Sequence, residues 1–443
     1  MEFEVLKRSL VKRNIIIGVV VVFIISAIIL NFTSAKYRTS YSVPLINGEV
    51  NYKVPDLNIV SLYVSNEEGE YVEADTIPTG NYELSEESYC EINGVKNDNI
   101  NLTYDSNTQT LNVKPFTTKG TKCYLYFDKG VLAKDTILAN YPTVLTRNDF
   151  STAVTNTTTG TIYKSLDESQ YDNDGEVYYF AGNPTDNWVS FAGFYWRIVR
   201  VNGDGSIRLI YNGTGPATTG EGTQITLDGS NVFAFNRLYN DNAYVGFKYS
   251  IGNVHGTETN SDILITLNAW YQNNLTSYAN YIDINAGFCN DREPSTNTSN
   301  SNGLGGTGIT ETFYASNIRI SSNNMPSFKC INSSDLFTLS NSSKGNKSLN
   351  YPIGLITADE LIYAGLTSEE KNENYYLYTG HSYWTLSPAY FSGKTLIYTM
   401  SYLGHLSVTS TYDNSPGIRP EINLSPNVKI TGIGTSSDPY QVS

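Results

Sequence analysis

Reactive side chains are scarce in this chain. It has three histidines (His255, His381, His405), four cysteines and three methionines in 443 residues. It has no Cys-x-x-Cys, no Gly-x-Ser-x-Gly elbow and no glycine loop opening a helix. Those absences take away the sequence patterns of a thiolate metal site, a hydrolase nucleophile and a phosphate cradle. Charge is also sparse: 16% of residues are charged and the net charge is −14. That acidic balance repels phosphates, so nucleic acid is not an expected partner. Tandem repeats are absent too. Present instead are 35 tyrosines, 35 glycines and many Asn, Ser and Thr. Such a composition has enough aromatic and aliphatic groups for a core and reads as a β-rich, weakly charged exported protein.

The one long apolar run stands at the start. Lys7, Arg8, Lys12 and Arg13 precede NIIIGVVVVFIISAIILNF, Asn14 to Phe32. Ile15 to Leu30 holds no charge and would span about 24 Å as a helix. Flanking Lys12, Arg13 and Phe32 would reach the two interfaces. The reading is a cytoplasmic tail over 1–13, a single N-terminal transmembrane helix over 14–32 and a stalk over 33–51. Basic residues stay inside, so the chain is expected to be membrane-anchored with its bulk extracellular. The competing reading is a cleaved signal peptide, with Thr33-Ser34-Ala35 as the small-residue site. The end, GTSSDPYQVS, has no wall-sorting pattern.

Cys90, Cys123, Cys289 and Cys330 are even in number, which in an exported chain points to disulfides. Their order favours local pairs, Cys90 with Cys123 and Cys289 with Cys330. Short alternating runs broken by turns (NIVSLYVS, EYVEA, INLTYD, TLNVKP, KCYLYFDK) predict a small antiparallel β-sandwich over 52–130. Residues 131–150 read as a linker with weak helical character. From 151 to 443 comes a larger α+β domain. FYWRIVRVNGDGSIRLIYNG predicts a hairpin about Asn202-Gly203-Asp204-Gly205. SDILITLNAWYQNNL predicts a helix burying Ile263, Leu267, Trp270 and Tyr271. TADELIYAG predicts another, with Thr357 and Glu360 as a capping box and Gly365 as its stop. REPSTNTSNSNGLGGTG, Arg292 to Gly308, reads as a solvated loop.

The ordered set VYYFAGNPTDNWVSFAGFYWRIVRVNGDGSIRLIY, FCNDRE, GLITADELIYAG, YWTLSP and SPGIRPEINL resembles a family of bacterial surface proteins from low-GC Gram-positive bacteria. These carry a C-type-lectin-like domain akin to the sulfatase-modifying-factor fold. The resemblance covers about Leu166 to the C-terminus. It implies two helices on a twisted, mostly antiparallel sheet with its ends close together, and long irregular loops. Trp384, Arg419 and Glu421 fall in the motifs that bracket the last sheet. Arg419 and Glu421 would share one strand face and Ile418, Ile422 and Leu424 the other. Pro420 belongs at an edge or irregularity. Arg419 is expected to be structural, paired with a carboxylate or with backbone carbonyls, tying the last strand to YWTLSP.

Chemistry has few candidates. Enzymes of that fold use two cysteines close in sequence, whereas Cys289 and Cys330 are far apart, so no catalytic residue is expected. Asp172-x-Asp174-Gly175, in an acidic turn, resembles the start of a calcium loop; the rest of the spacing is missing, and calcium is the sole cofactor considered. Glu-Pro-Asn, a tripeptide of many sugar-binding C-type lectins, is absent. Exposed tyrosines, YYLY (Tyr375 to Tyr378) among them, could stack on sugars or anchor a protein. The expected role is non-catalytic recognition of a surface glycan or protein. The alternatives are an envelope scaffold and an enzyme on the sulfatase-modifying fold.

Overall fold

The computed structural model describes residues 43–44, 57–66, 69–78, 82–105, 108–114, 120–295 and 305–443. They form two compact units that divide after Gly130. The expected fold class needs a correction at its start. Among the described residues no helix is long and apolar enough to cross a membrane. The run from Asn14 to Phe32, the tail before it and all of the stalk but Val43–Pro44 lie outside those residues. What is described is β-rich in both units, with short helices.

In the first unit, Leu57–Ser65 (β1), Tyr89–Ile92 (β2) and Thr121–Lys129 (β3) form the centre of a six-stranded sheet, with β3 between the other two. In β3, Thr121, Cys123, Leu125 and Phe127 are buried, while Lys122, Tyr124, Tyr126 and Asp128 face outward. Period-two alternation of this kind marks a sheet with one wet face. The sheet is not purely antiparallel as expected. β1 pairs with β3 in parallel, Leu57 against Thr121 through Val64 against Phe127. The first and last strands of the unit therefore run side by side, which no hairpin can connect. A three-stranded sheet built on the 101–105 and 110–114 hairpin packs across from it. Leu111 joins Leu62, Leu125 and Phe127 in the core, and Tyr104 meets Phe127 edge-on at 5.0 Å. Cys90 and Cys123 stand opposite each other in register and are bonded.

The second unit starts at Val131 rather than 151. Helix α1 (Ala133–Asn140) buries Ala133 and Ile137. The Ala133 N–H donates to the Val428 carbonyl at 2.9 Å, and the Asn140 amide donates to the Tyr440 hydroxyl at 3.0 Å. The expected linker thus closes the unit onto its own C-terminal segment. The main sheet has ten strands. Within it β4 (Trp188–Phe191), β5 (Phe194–Val201) and β6 (Ile207–Tyr211) run antiparallel to one another in that order. Helix α2 (Asp262–Asn274) is capped by Ser261 and buries Ile263, Leu264, Leu267, Trp270 and Tyr271. Trp270 lies 5.5 Å from the rings of both Phe194 and Tyr211. Helix α3 (Ala358–Tyr363) has the full Thr357/Glu360 capping box, and Gly365 follows at φ +119°. β7 (Tyr383–Phe391), β8 (Thr395–Met400) and β9 (Leu406–Ser410) form most of a second sheet. The chain then returns as β10 (Pro420–Leu424) into the main sheet, between β6 and Gly354–Leu355. Pro420 is therefore in a flanked strand, and it is tolerated there as the first residue.

Candidate functional site

A one-residue irregularity in β5 decides where the arginines point. Ile198 pairs with Leu209 but Arg200 pairs with Arg208, so Val199 is bulged out of register. Strict alternation would send Arg197 and Arg200 to opposite faces. The extra residue puts both on one face, beside Arg208 of β6 and Glu421 of β10. All four are buried, as is Arg419.

These charges are satisfied in two different ways. Arg200 Nε is 3.0 Å and Arg208 Nε 3.8 Å from Glu360 Oε1, and Arg208 Nη1 is 3.1 Å from Glu421 Oε2. Burial pushes the Glu360 carboxyl up, but the two guanidiniums and the Thr357 amide outweigh it and hold it below the usual range. Glu421 goes the other way. Burial and then repulsion from Glu360 push it up to about 8, and its Oε1 has no hydrogen-bond partner. Arg197 and Arg419 form no ion pair among the described residues. Arg197 donates to Asn187 Oδ1 and to the Pro184 carbonyl, both at 2.7 Å, and lies 4.1 Å over the Trp188 ring. Burial lowers it to about 9. Arg419 donates to the Tyr211 carbonyl (3.1 Å), the Leu377 carbonyl (3.0 Å) and Asn212 Oδ1 (2.9 Å). It also stacks 5.1 Å over the Tyr383 ring. Of the two partner types expected for it, the carbonyls are the ones present, and the strand does tie to YWTLSP.

Arg200, Arg208 and Glu360 of this layer line a cleft of about 680 Å³, counted out to open solvent, whereas Arg197, Arg419 and Glu421 do not. The Cys289–Cys330 disulfide and Phe328 form part of its lining. Arg319 bridges Asp359 at 2.7 Å and Asp291 at 2.8 Å, and Lys344 reaches Asp174 at 2.6 Å. Most of the charges lining the cleft are paired, and Lys329 forms no ion pair among the described residues. Ser387 Oγ accepts the Ala358 N–H at 2.9 Å, a helix-capping role.

The structure disperses the other candidates. Asp172 Oδ1 accepts the N–H groups of Asp174 (2.7 Å) and Gly175 (3.0 Å), and Oδ2 accepts that of Gly203 (2.9 Å). Those oxygens hold the acidic turn against the β5–β6 hairpin. No group of three or more His, Cys, Asp or Glu among the described residues could hold a metal ion. Trp384 is fully buried and donates Nε1–H to the Phe233 carbonyl at 2.6 Å. Tyr375 and Tyr376 of YYLY are core residues, not surface ones. Arg292, at the head of the expected solvated loop, is buried and gripped by Asp335 (2.8 Å from Nε); residues 296–304 of that loop lie outside the described ones. His255 also meets Asp335, with Nδ1 3.1 Å from both carboxylate oxygens. The hydrogen bond to Asp335 raises the imidazole above its ordinary value. Its Nε2 faces the Asn332 amide at 3.2 Å rather than a hydroxyl or thiol.

The surface feature that the sequence reading missed is on the first unit. Tyr63 stands opposite Tyr126 and Tyr89 opposite Tyr124, while Tyr71 lies opposite Ser65, two along from Tyr63. All five tyrosines share the wet face of one sheet across four strands. Tyr63 and Tyr126 stack at 4.8 Å, Tyr89 and Tyr124 at 4.9 Å, and Tyr71 meets Tyr126 edge-on at 4.9 Å. Alternation in KCYLYFDK alone places Tyr124 and Tyr126 outward. The other three join them through the parallel register and the strand order, which no local pattern encodes. No family model matches the chain, and neither does any curated protein or solved structure.

Proposed function

We propose that the chain is an extracytoplasmic recognition protein that holds a surface glycan or protein without catalysis. The carrying observation is the half-exposed row of five tyrosines on the first unit. Tyrosine gives large contact area at low entropic cost, with a polar tip. Two disulfides fit an oxidising environment. In this reading the second unit is a C-type-lectin-like scaffold, as its motif order implies, and its buried ion network serves rigidity. The test is a glycan array and a peptide array probed with the full chain, with and without calcium. Binding should occur in one format, persist without calcium and fall when Tyr124 and Tyr126 are both changed to Ser. A folded chain that binds nothing on either array would leave the envelope-scaffold reading in its place. Thiol labelling tests the enzyme alternative: Cys289 and Cys330 should both resist labelling without reductant.

A further inference from the structure

The tyrosine face is also acidic. Glu73 stands opposite Tyr63, and Glu91 and Asp128 follow Tyr89 and Tyr126 by two residues on their strands. Glu83 stands opposite Asp128. All four therefore lie on the tyrosine side. Asp128 accepts the Tyr71 hydroxyl at 2.7 Å, and Glu91 lies 3.5 Å from that of Tyr124. Over residues 52–130 the chain carries 13 carboxylates against six lysines, with no arginine. The face carries two lysines of its own: Lys96 Nζ sits 5.7 Å over the Tyr89 ring, and Lys122 stands opposite Glu91, which leaves the carboxylates in excess.

Ring orientation bears on the kind of partner. Stacked at 4.8 and 4.9 Å, the tyrosines turn their broad faces toward each other. Each stacked pair thereby covers one broad face of both its rings. A pyranose ring stacks on a broad free face. A peptide instead lays aliphatic stems along ring edges and offers N–H, ammonium or guanidinium donors to hydroxyl and carboxylate oxygens.

We infer that this face docks a basic protein segment, its lysine or arginine heads set among Glu73, Glu83, Glu91 and Asp128 and its stems along the tyrosines. This rests on the recognition reading above and narrows it to one partner class. The probe is fluorescently labelled deca-lysine, titrated into the full chain at low and at 300 mM salt. Deca-lysine should bind at low salt and weaken at high salt. Changing Glu83 and Glu91 to Gln should weaken it about tenfold, whereas Glu369→Gln with Glu370→Gln, the same charge change on the second unit, should not. Tyr124→Ser with Tyr126→Ser should weaken it similarly, while Tyr402→Ser with Tyr412→Ser, two exposed tyrosines of the second unit, should not. Equal loss from both Gln pairs would reduce the effect to net charge and overturn the inference. So would tighter binding of a chitosan oligomer than of deca-lysine, which would assign the face to an amino-sugar polymer. A neutral glycan that binds through the tyrosines without salt dependence would also overturn it, while leaving the recognition function standing.

Discussion

Arg419 carries a guanidinium into the interior of the second unit and forms no ion pair among the described residues. Two carbonyls and an asparagine oxygen replace the water it lost. Removing it leaves those acceptors unpaired, at about 1–3 kcal/mol each. Arg419→Met is therefore expected to lower stability by about 3 kcal/mol in urea denaturation without touching ligand binding; unchanged stability with lost binding would reverse the assignment. Glu421 and His255 make stability depend on pH, and both act in the same direction. A carboxyl raised to about 8 in the fold is still protonated there when it has already ionised in the unfolded chain. The fold therefore loses stability as pH rises from about 4.5 to about 8. An imidazole raised by Asp335 contributes fully below its unfolded value of about 6.5, and that contribution is lost as pH rises through the folded value. Melting temperature should fall between pH 5 and 8. Glu421→Gln and His255→Gln should each flatten part of that slope, and a slope unchanged in both would rule out these two groups as its source.

Among elements, the β5–β6 hairpin shows a close fit that its own turn chemistry does not require. A Cβ on Gly203 would stand 2.5 Å from the Gly175 nitrogen and 2.7 Å from Asp172 Oδ1. The acidic turn at 172–175 is packed directly on the hairpin. Gly203→Ala is thus expected to destabilise the second unit by about 1–3 kcal/mol, read as a lower midpoint in tryptophan fluorescence. Gly393→Ala offers a comparison, because its Cβ would meet nothing within 4 Å and its cost would be that of a positive φ alone. The bulge at Val199 belongs to the same scale. It turns Arg200 inward to Glu360 on α3, and so joins strand, hairpin and helix in one ion network. The hairpin and the capping box were readable from NGDG and from Thr357 with Glu360, since turn and cap chemistry is local. The bulge was not, since an extra residue in a strand shows only against its partner.

At the scale of the whole molecule, two β-rich units each close on their own disulfide. All four tryptophans lie in the second unit, so their fluorescence reports that unit alone. Replacing Cys289 and Cys330 with Ser releases a crosslink of 41-residue separation, and the fluorescence-detected transition should lose about 4 kcal/mol in the chain-entropy model. No loss would show that the bond does not constrain the unfolded chain. By itself the sequence determined what depends on neighbours along the chain: β-rich composition, the hairpin, the capped helices, the local cysteine pairs and the acidic, weakly charged surface. Tertiary structure decided the rest. It folded 131–150 into the second unit, set β1 parallel to β3, buried Tyr375, Tyr376 and Arg292, engaged Asp172 and Asp174 with amides and a lysine, and brought five tyrosines from four strands onto one face. The reason is physical. Register and strand order are settled by which apolar faces can be buried together, and that competition is between segments far apart in the chain.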